Sequence, residues 1–198
     1  MRSLRRFVPC LVAALAACAS TTIVDSWYDA GYRGGPFKRI MILAVTDQEV
    51  ARRTFEDTFS AKLRAAGTDA VASYQLLPQS GRTEEPALDA AARRADADGL
   101  LMVHLVRVDR QTRVVPGYPA PFYPGYYGYY RAWAAYPDVY TYDIATAEAN
   151  LFSVASRQLV WGGTTETFNP QSVSRDSAVF ADVVIAALAK RGLVPGAK

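Results

Sequence analysis

Apolar positions along the chain fall into a few repeating patterns, and each pattern names an element. Residues 40–45 read Ile-Met-Ile-Leu-Ala-Val without interruption, the pattern of a strand covered on both faces. Ala51, Phe55, Phe59, Leu63 and Ala66 then recur at helical spacing, with Asp47 placed to cap the helix and Gly67 to stop it. The other face of that helix reads as wet, because Glu49 and Arg53, Arg52 and Glu56, and Arg53 and Asp57 each stand four residues apart. Residues 70–73 suit a short second strand. Thr83, Glu84, Glu85 and Pro86 have the composition of a helix start, and Leu88, Ala91, Ala92 and Ala95 give that second helix its apolar stripe. A third strand is expected over 99–108, apolar at first and alternating towards its end. The order β-α-β-α-β, with right-handed crossovers, places three parallel strands in one sheet with helices over a face.

From Pro116 to Tyr142 the pattern breaks. Nine tyrosines are interleaved with Pro116, Pro119, Pro121, Pro124, Pro137 and three glycines, a density that opposes both helix and ladder. A loop is therefore expected at 116–138. Residues 139–153 and 158–168 alternate as strands, and Ala155, Ser156 and Arg157 between them suit a hairpin connection. Ser174 is placed to cap a last helix running through Val179, Phe180, Val183, Val184, Ala187 and Leu188, closed by Lys190, Arg191 and Gly192. The fold class expected is thus α/β: βαβαβ, then an antiparallel β-hairpin and a C-terminal helix, as a two-layer sandwich. No internal repeat is visible.

The N-terminus has a different character. Arg2, Arg5 and Arg6 precede an apolar run over 7–17, the length of a signal-peptide core and too short to span a bilayer. The run ends in Leu15-Ala16-Ala17-Cys18, which resembles the bacterial lipobox, where small residues precede a cysteine that is acylated and becomes the first residue of the mature chain. The resemblance implies a signal peptide at 1–17, a lipid such as palmitate on Cys18, and a lipid-anchored tether over 18–36 with a short strand near Thr22, Ile23 and Val24. The other reading of the same residues is an ordinary secretory peptide cut near Ala17, with Cys18 left as a free thiol. Ala19 and Ser20 do not resemble the aspartate that retains such lipoproteins at the inner membrane, which implies a place on the outer membrane facing the periplasm.

Charge adds to this picture once it is located. The 198 residues carry a formal net charge of +3, and the three N-terminal arginines account for all of it; beyond residue 6, 19 Lys and Arg face 19 Asp and Glu. A neutral domain over 37–194 argues against nucleic acid as a partner, because that surface needs a basic patch. With Cys10 in the signal and Cys18 acylated, no thiol is left for a disulfide, a metal or nucleophilic catalysis. His104, the only histidine, falls inside a predicted central strand and reads as a core residue rather than a base. Asp96 and Asp98 lack the ligand series of a calcium loop and read as a helix-to-strand turn. No cofactor and no metal is expected.

A wider resemblance rests on short stretches: Arg52 to Phe59, Leu63, Gly67, Ala72-Ser73-Tyr74, Leu76-Leu77-Pro78, and Ala97-Asp98-Gly99 before the third strand. Together they resemble a family of uncharacterised bacterial lipoproteins of the domain-of-unknown-function type, over roughly residues 26 to 193. That resemblance implies an α/β sandwich on a lipid tether and brings no catalytic residue with it. For Arg53 and Glu56, surface pairing and a place in a binding site both remain open.

Function is read from these features together. The expectation is a non-enzymatic cell-envelope lipoprotein, on the membrane through its lipid, that binds an envelope protein or peptidoglycan. Tyr126, Tyr127, Tyr129, Tyr130 and Trp133 are the candidate contact residues, since phenol and indole rings offer flat apolar area with a polar tip. The alternatives are an envelope hydrolase using carboxylates such as Asp98 and Glu166, which needs both acids in one cleft, or a subunit of an oligomeric assembly.

Overall fold

A computed structural model describes residues 20–77, 84–115 and 138–195. Cys18 and the five aromatic candidates, Tyr126, Tyr127, Tyr129, Tyr130 and Trp133, lie outside the described residues. The elements are β1 (Ser20–Tyr28), β2 (Arg39–Val45), α1 (Glu49–Ala65), β3 (Asp69–Ala72), a 3₁₀ turn (Ser73–Gln75), α2 (Glu85–Arg94), β4 (Gly99–Val115), β5 (Asp138–Ser153), β6 (Leu159–Phe168) and α3 (Val173–Lys190). The strands form one six-stranded sheet in the order β1-β6-β5-β4-β2-β3. As the sequence pattern requires, β2 pairs parallel with both β3 and β4, and β5 and β6 form an antiparallel hairpin. The fold is the expected α/β sandwich.

α1 and α3 lie together on one face. Phe59, Leu63, Phe180, Val184 and Leu188 pack there against Ile40, Ile42, Leu101, Val103, Leu151 and Trp161. α2 sits on the opposite face, where Ala91, Ala92 and Ala95 meet Met41, Leu43 and Leu100. The reason is topological. β3 and β4 flank β2 on opposite sides, so two crossovers of the same hand run in opposite directions along the sheet and place their helices on opposite faces. α2 covers only the β2 end of its face, and the half made by β5, β6 and β1 has no helix over it among the described residues.

Four local readings change. The first helix begins after Gln48 with no side-chain cap, in place of Asp47, and the last is capped by Ser172, whose Oγ accepts the Arg175 N–H at 3.3 Å, in place of Ser174. Residues 20–28, expected as a tether with a short strand, form a nine-residue edge strand paired antiparallel with β6. β4 is longer than the hydropathy pattern suggests and keeps its pairing with β5 along its added length. They remain paired from Arg110–Asp143 out to Val115–Asp138, past the last β6 residue, Phe168, and so form a two-stranded arm.

One glycine position is set by packing. The Trp161 indole lies across Gly163 on the helix-covered face, and a Cβ there would stand 2.8 Å from Trp161 Cζ2. A glycine lets this large buried ring lie flat on the sheet.

Candidate functional site

An apolar groove of about 410 Å³ opens on the α1/α3 side. Its floor is built from alternate residues of adjacent strands: Val103, Leu105 and Val108 of β4, Ala145 and Ala147 of β5, and Thr167 of β6. A bulge between Leu105 and Arg107 shifts the β4 register, which is why Leu105 and Val108, three apart, share this face. Ala51 and Phe55 of α1 form one wall, and Val173, Ser177 and Phe180 of α3 the other. Phe55 and Phe180 meet with ring centroids 5.6 Å apart and are backed by Phe59 at 5.7 and 6.2 Å. The space exists because alanine occupies both β5 positions of the floor as well as positions 44 and 51, where larger side chains would fill it.

The position within the fold matters too. The groove lies at the carboxyl end of β2, where α1 leaves the sheet on one side and β4 pairs on the other. In α/β sheets with parallel strands, ligand crevices form at such switch points. The volume lies within the usual range for small-molecule sites.

Water reaches much of the lining. Val45, Leu105, Val108 and Val173 are 40%, 54%, 53% and 46% exposed although all face the same groove, so their apolar area is gathered around one concavity rather than scattered. The one carboxylate in the lining is Asp176. Its Oδ2 accepts the backbone N–H groups of Gln171 at 2.7 Å and Ser172 at 2.9 Å, which ties the approach to α3 onto its first turn.

The carboxylates proposed for hydrolysis do not meet. Asp98 accepts the backbone N–H groups of Lys38 at 2.9 Å and Arg39 at 2.9 Å, and so clasps the start of β2 to the start of β4. The helix-to-strand turn expected there is present, with Asp96 at φ 52°. Glu166 pairs with Thr146, which is opposite Arg107 on β4, eight residues further along from Gly99. At about 3.3 Å per residue, that separates the two acids by roughly 25 Å.

His104 differs from its expected core position. It follows Leu100 and Met102 on the α2 face, but α2 ends short of it and the side chain is exposed, opposite Glu148 on β5. Among the described residues, no group of three or more His, Cys, Asp and Glu side chains is placed to hold a metal ion.

Glu56 and Arg53, open between surface and site, separate cleanly. Arg53 is exposed, with its Nε 2.6 Å from Glu49 Oε1 and its guanidinium 5.1 Å from the Tyr74 ring centroid. Glu56 is wholly buried beside Arg52, and both belong to the framework that joins α1 to the sheet. Residue order does not reveal the groove, whose lining comes from four strands, two helices and the turns before them. The one local signal for it is Leu105-Val106-Arg107-Val108, where two adjacent apolar residues break strict alternation.

No family model and no curated protein matches the chain. Among solved structures it is similar to the PelC dodecamer from Paraburkholderia phytofirmans, at 16% identity and a TM-score of 0.46 over 89% of this chain and 99% of that one. A variant of that dodecamer gives 15% and 0.45 over 81% and 94%. Lipoprotein GNA1162 from Neisseria meningitidis gives 11% and 0.42 over 77% and 98%. Among the described residues, no helix is long and apolar enough to cross a membrane.

Proposed function

We propose that the chain is a non-enzymatic lipoprotein of the cell envelope, anchored through Cys18 to the outer membrane facing the periplasm, whose α/β domain binds a partner there. The observation that carries the binding reading is the apolar groove with its half-exposed rim of Val45, Leu105, Val108 and Val173. The carboxylates offered for hydrolysis are separated, and Asp98 is engaged by backbone N–H groups, which supports binding over chemistry. The arm of β4 and β5 leads directly into the tyrosine-rich stretch with Tyr126, Tyr127, Tyr129, Tyr130 and Trp133. That stretch is the second proposed contact, to an envelope protein or peptidoglycan.

The anchoring reading gains a geometric consequence from β1. The sheet begins at Ser20, two residues after Cys18, so a lipid on Cys18 holds the domain close against the bilayer rather than on a long leash. Cell fractionation and the mass of the N-terminal peptide test this. An acylated Cys18 peptide from the membrane fraction, lost in Cys18→Ser, supports the reading, and an unmodified Cys18 in the extracted protein overturns it. Crosslinking pull-down from intact cells, comparing the full chain with a form lacking residues 118–136, tests the contact surface. A partner captured equally by both forms removes the tyrosines from the proposal.

A further inference from the structure

We infer that the groove between α1, α3 and the sheet holds a long acyl chain, and that the chain is one of those carried by the protein's own Cys18. The inference rests on the proposed acylation of that cysteine and adds to it a destination for one of the chains; a groove so filled is closed to a partner, whose contact then falls to the tyrosine-rich stretch.

The lining selects the chemistry of the occupant. Val103, Leu105, Val108, Ala147, Phe55 and Phe180 present hydrocarbon; at their border Asp176 Oδ2 accepts two backbone N–H groups, and its Oδ1 is buried without a hydrogen-bond partner among the described residues. A peptide laid along this floor would bring N–H and C=O groups that need partners, and burying them without partners is costly. A polymethylene chain brings none. It gains from each apolar contact, and it is flexible enough to follow a floor bent by the β4 bulge.

The start of the sheet selects the source. Ser20, the first residue of β1, pairs with Phe168 at the end of β6. The next residue, Thr21, has its hydroxyl 2.9 Å from that of Thr167, and Thr167 is itself part of the groove floor. Cys18 precedes Ser20 by two residues, so its Cα lies within about 7 Å of that of Ser20. An acyl chain on Cys18 therefore starts one strand away from the groove. With several chains on one cysteine, one in the groove leaves the others to hold the bilayer, where stable anchoring takes more than one.

The test uses the full chain in living cells fed a palmitate analogue with a photoreactive diazirine in its tail. After irradiation, the protein is digested and the crosslinked peptides are mapped by mass spectrometry. The expected result is an intrachain crosslink from the Cys18 peptide to peptides containing 103–108, 145–147 or 177–180. Its yield should fall at least tenfold in Leu105→Glu and in Val108→Glu, substitutions at half-exposed positions whose folding is checked by retained protease resistance. Label on Cys18 with no crosslink to those peptides overturns the inference and leaves the anchor intact. Absence of label on Cys18 overturns the anchor and the inference with it. Groove peptides that are crosslinked equally in Cys18→Ser assign the acyl chain to a membrane lipid and overturn the claim of source.

Discussion

Arg52 and Glu56, one helical turn apart on α1, form an ion pair with no exposure to water: Arg52 Nε stands 3.1 Å from Glu56 Oε1. Around it, Glu56 accepts the N–H groups of Ala44 at 3.0 Å and Tyr74 at 2.9 Å and the Ser73 hydroxyl at 2.8 Å, while Arg52 donates to Ser73 Oγ and the Leu77 carbonyl. The pair thus fastens α1 to the end of β2 and to the 3₁₀ turn after β3. Its charges are removed from water only because each lone pair and N–H direction named here is used.

Glu56→Gln leaves the guanidinium buried without its carboxylate, and a loss of about 3–5 kcal/mol is expected. Urea unfolding followed by circular dichroism measures it. Replacing both partners, Arg52→Met with Glu56→Leu, recovers only part of the loss, because the Ala44 and Tyr74 N–H groups are then left unsatisfied. A single Glu56→Gln change that leaves the midpoint unmoved would show that the pair does not hold α1.

Gly163 is expected to tolerate no side chain. A methyl group at that position meets the buried Trp161 ring, and Gly163→Ala should cost about 1–3 kcal/mol through displacement of the indole. A fall in melting temperature together with a changed near-ultraviolet circular dichroism band is the expected signature. Retention of both would place the ring elsewhere.

Asp98→Ala removes the acceptor for the Lys38 and Arg39 N–H groups where β2 and β4 begin. Because the site is open to solvent, water replaces part of what is lost, and a cost of about 1 kcal/mol is expected. Asp98→Asn, which keeps one acceptor oxygen, should fall between the two. Chemical denaturation ranks the three forms, and a cost confined to partner binding with stability unchanged would return Asp98 to the list of functional residues.

Tyr32 offers a pH test. Its ring stacks on Phe37 at 5.7 Å, and burial first, then the negative charge of Asp98 and the neighbouring Tyr28, raise its phenol above the ordinary value of 10.0. The fold therefore favours the neutral phenol. That contribution is fully present below pH 10 and is lost as the pH rises through the raised value in the folded state. Tyr32→Phe should flatten the decline in stability between pH 9 and 11, measured as the denaturation midpoint at each pH. An unchanged decline would assign it to other groups.

The elements that could be read from residue order are those whose burial is decided locally. The continuous run at 40–45 has to be a covered strand, and the helical spacing of Phe55, Phe59 and Leu63 or of Phe180, Val184 and Leu188 has one apolar side to bury. The parallel core, the hairpin and the three helices follow from such patterns. The full length of β1, beyond the short strand near Thr22, Ile23 and Val24, escaped because an edge strand alternates weakly: Val24 and Trp27 remain about half exposed, and its pairing is supplied by the open edge of β6. The outer part of β4 escaped for a similar reason, since Asp109, Arg110, Gln111 and Arg113 carry no core signal.

Charge spacing misled in a different way. Glu49 with Arg53 and Arg52 with Glu56 have the same four-residue spacing, yet the first pair is at the surface and the second is wholly enclosed. Which face of α1 stays wet depends on where the 3₁₀ turn and the end of β2 come to rest, and those contacts span up to 25 residues of chain. His104 shows the converse, an apolar-strand position left open because α2 is short. Residue order alone settled the class of the fold, the parallel core and the composition of the N-terminus. Tertiary packing alone decided the groove, because its floor and walls come from segments as distant as Ala44 and Phe180, and a concavity is a property of what neighbouring elements leave unfilled.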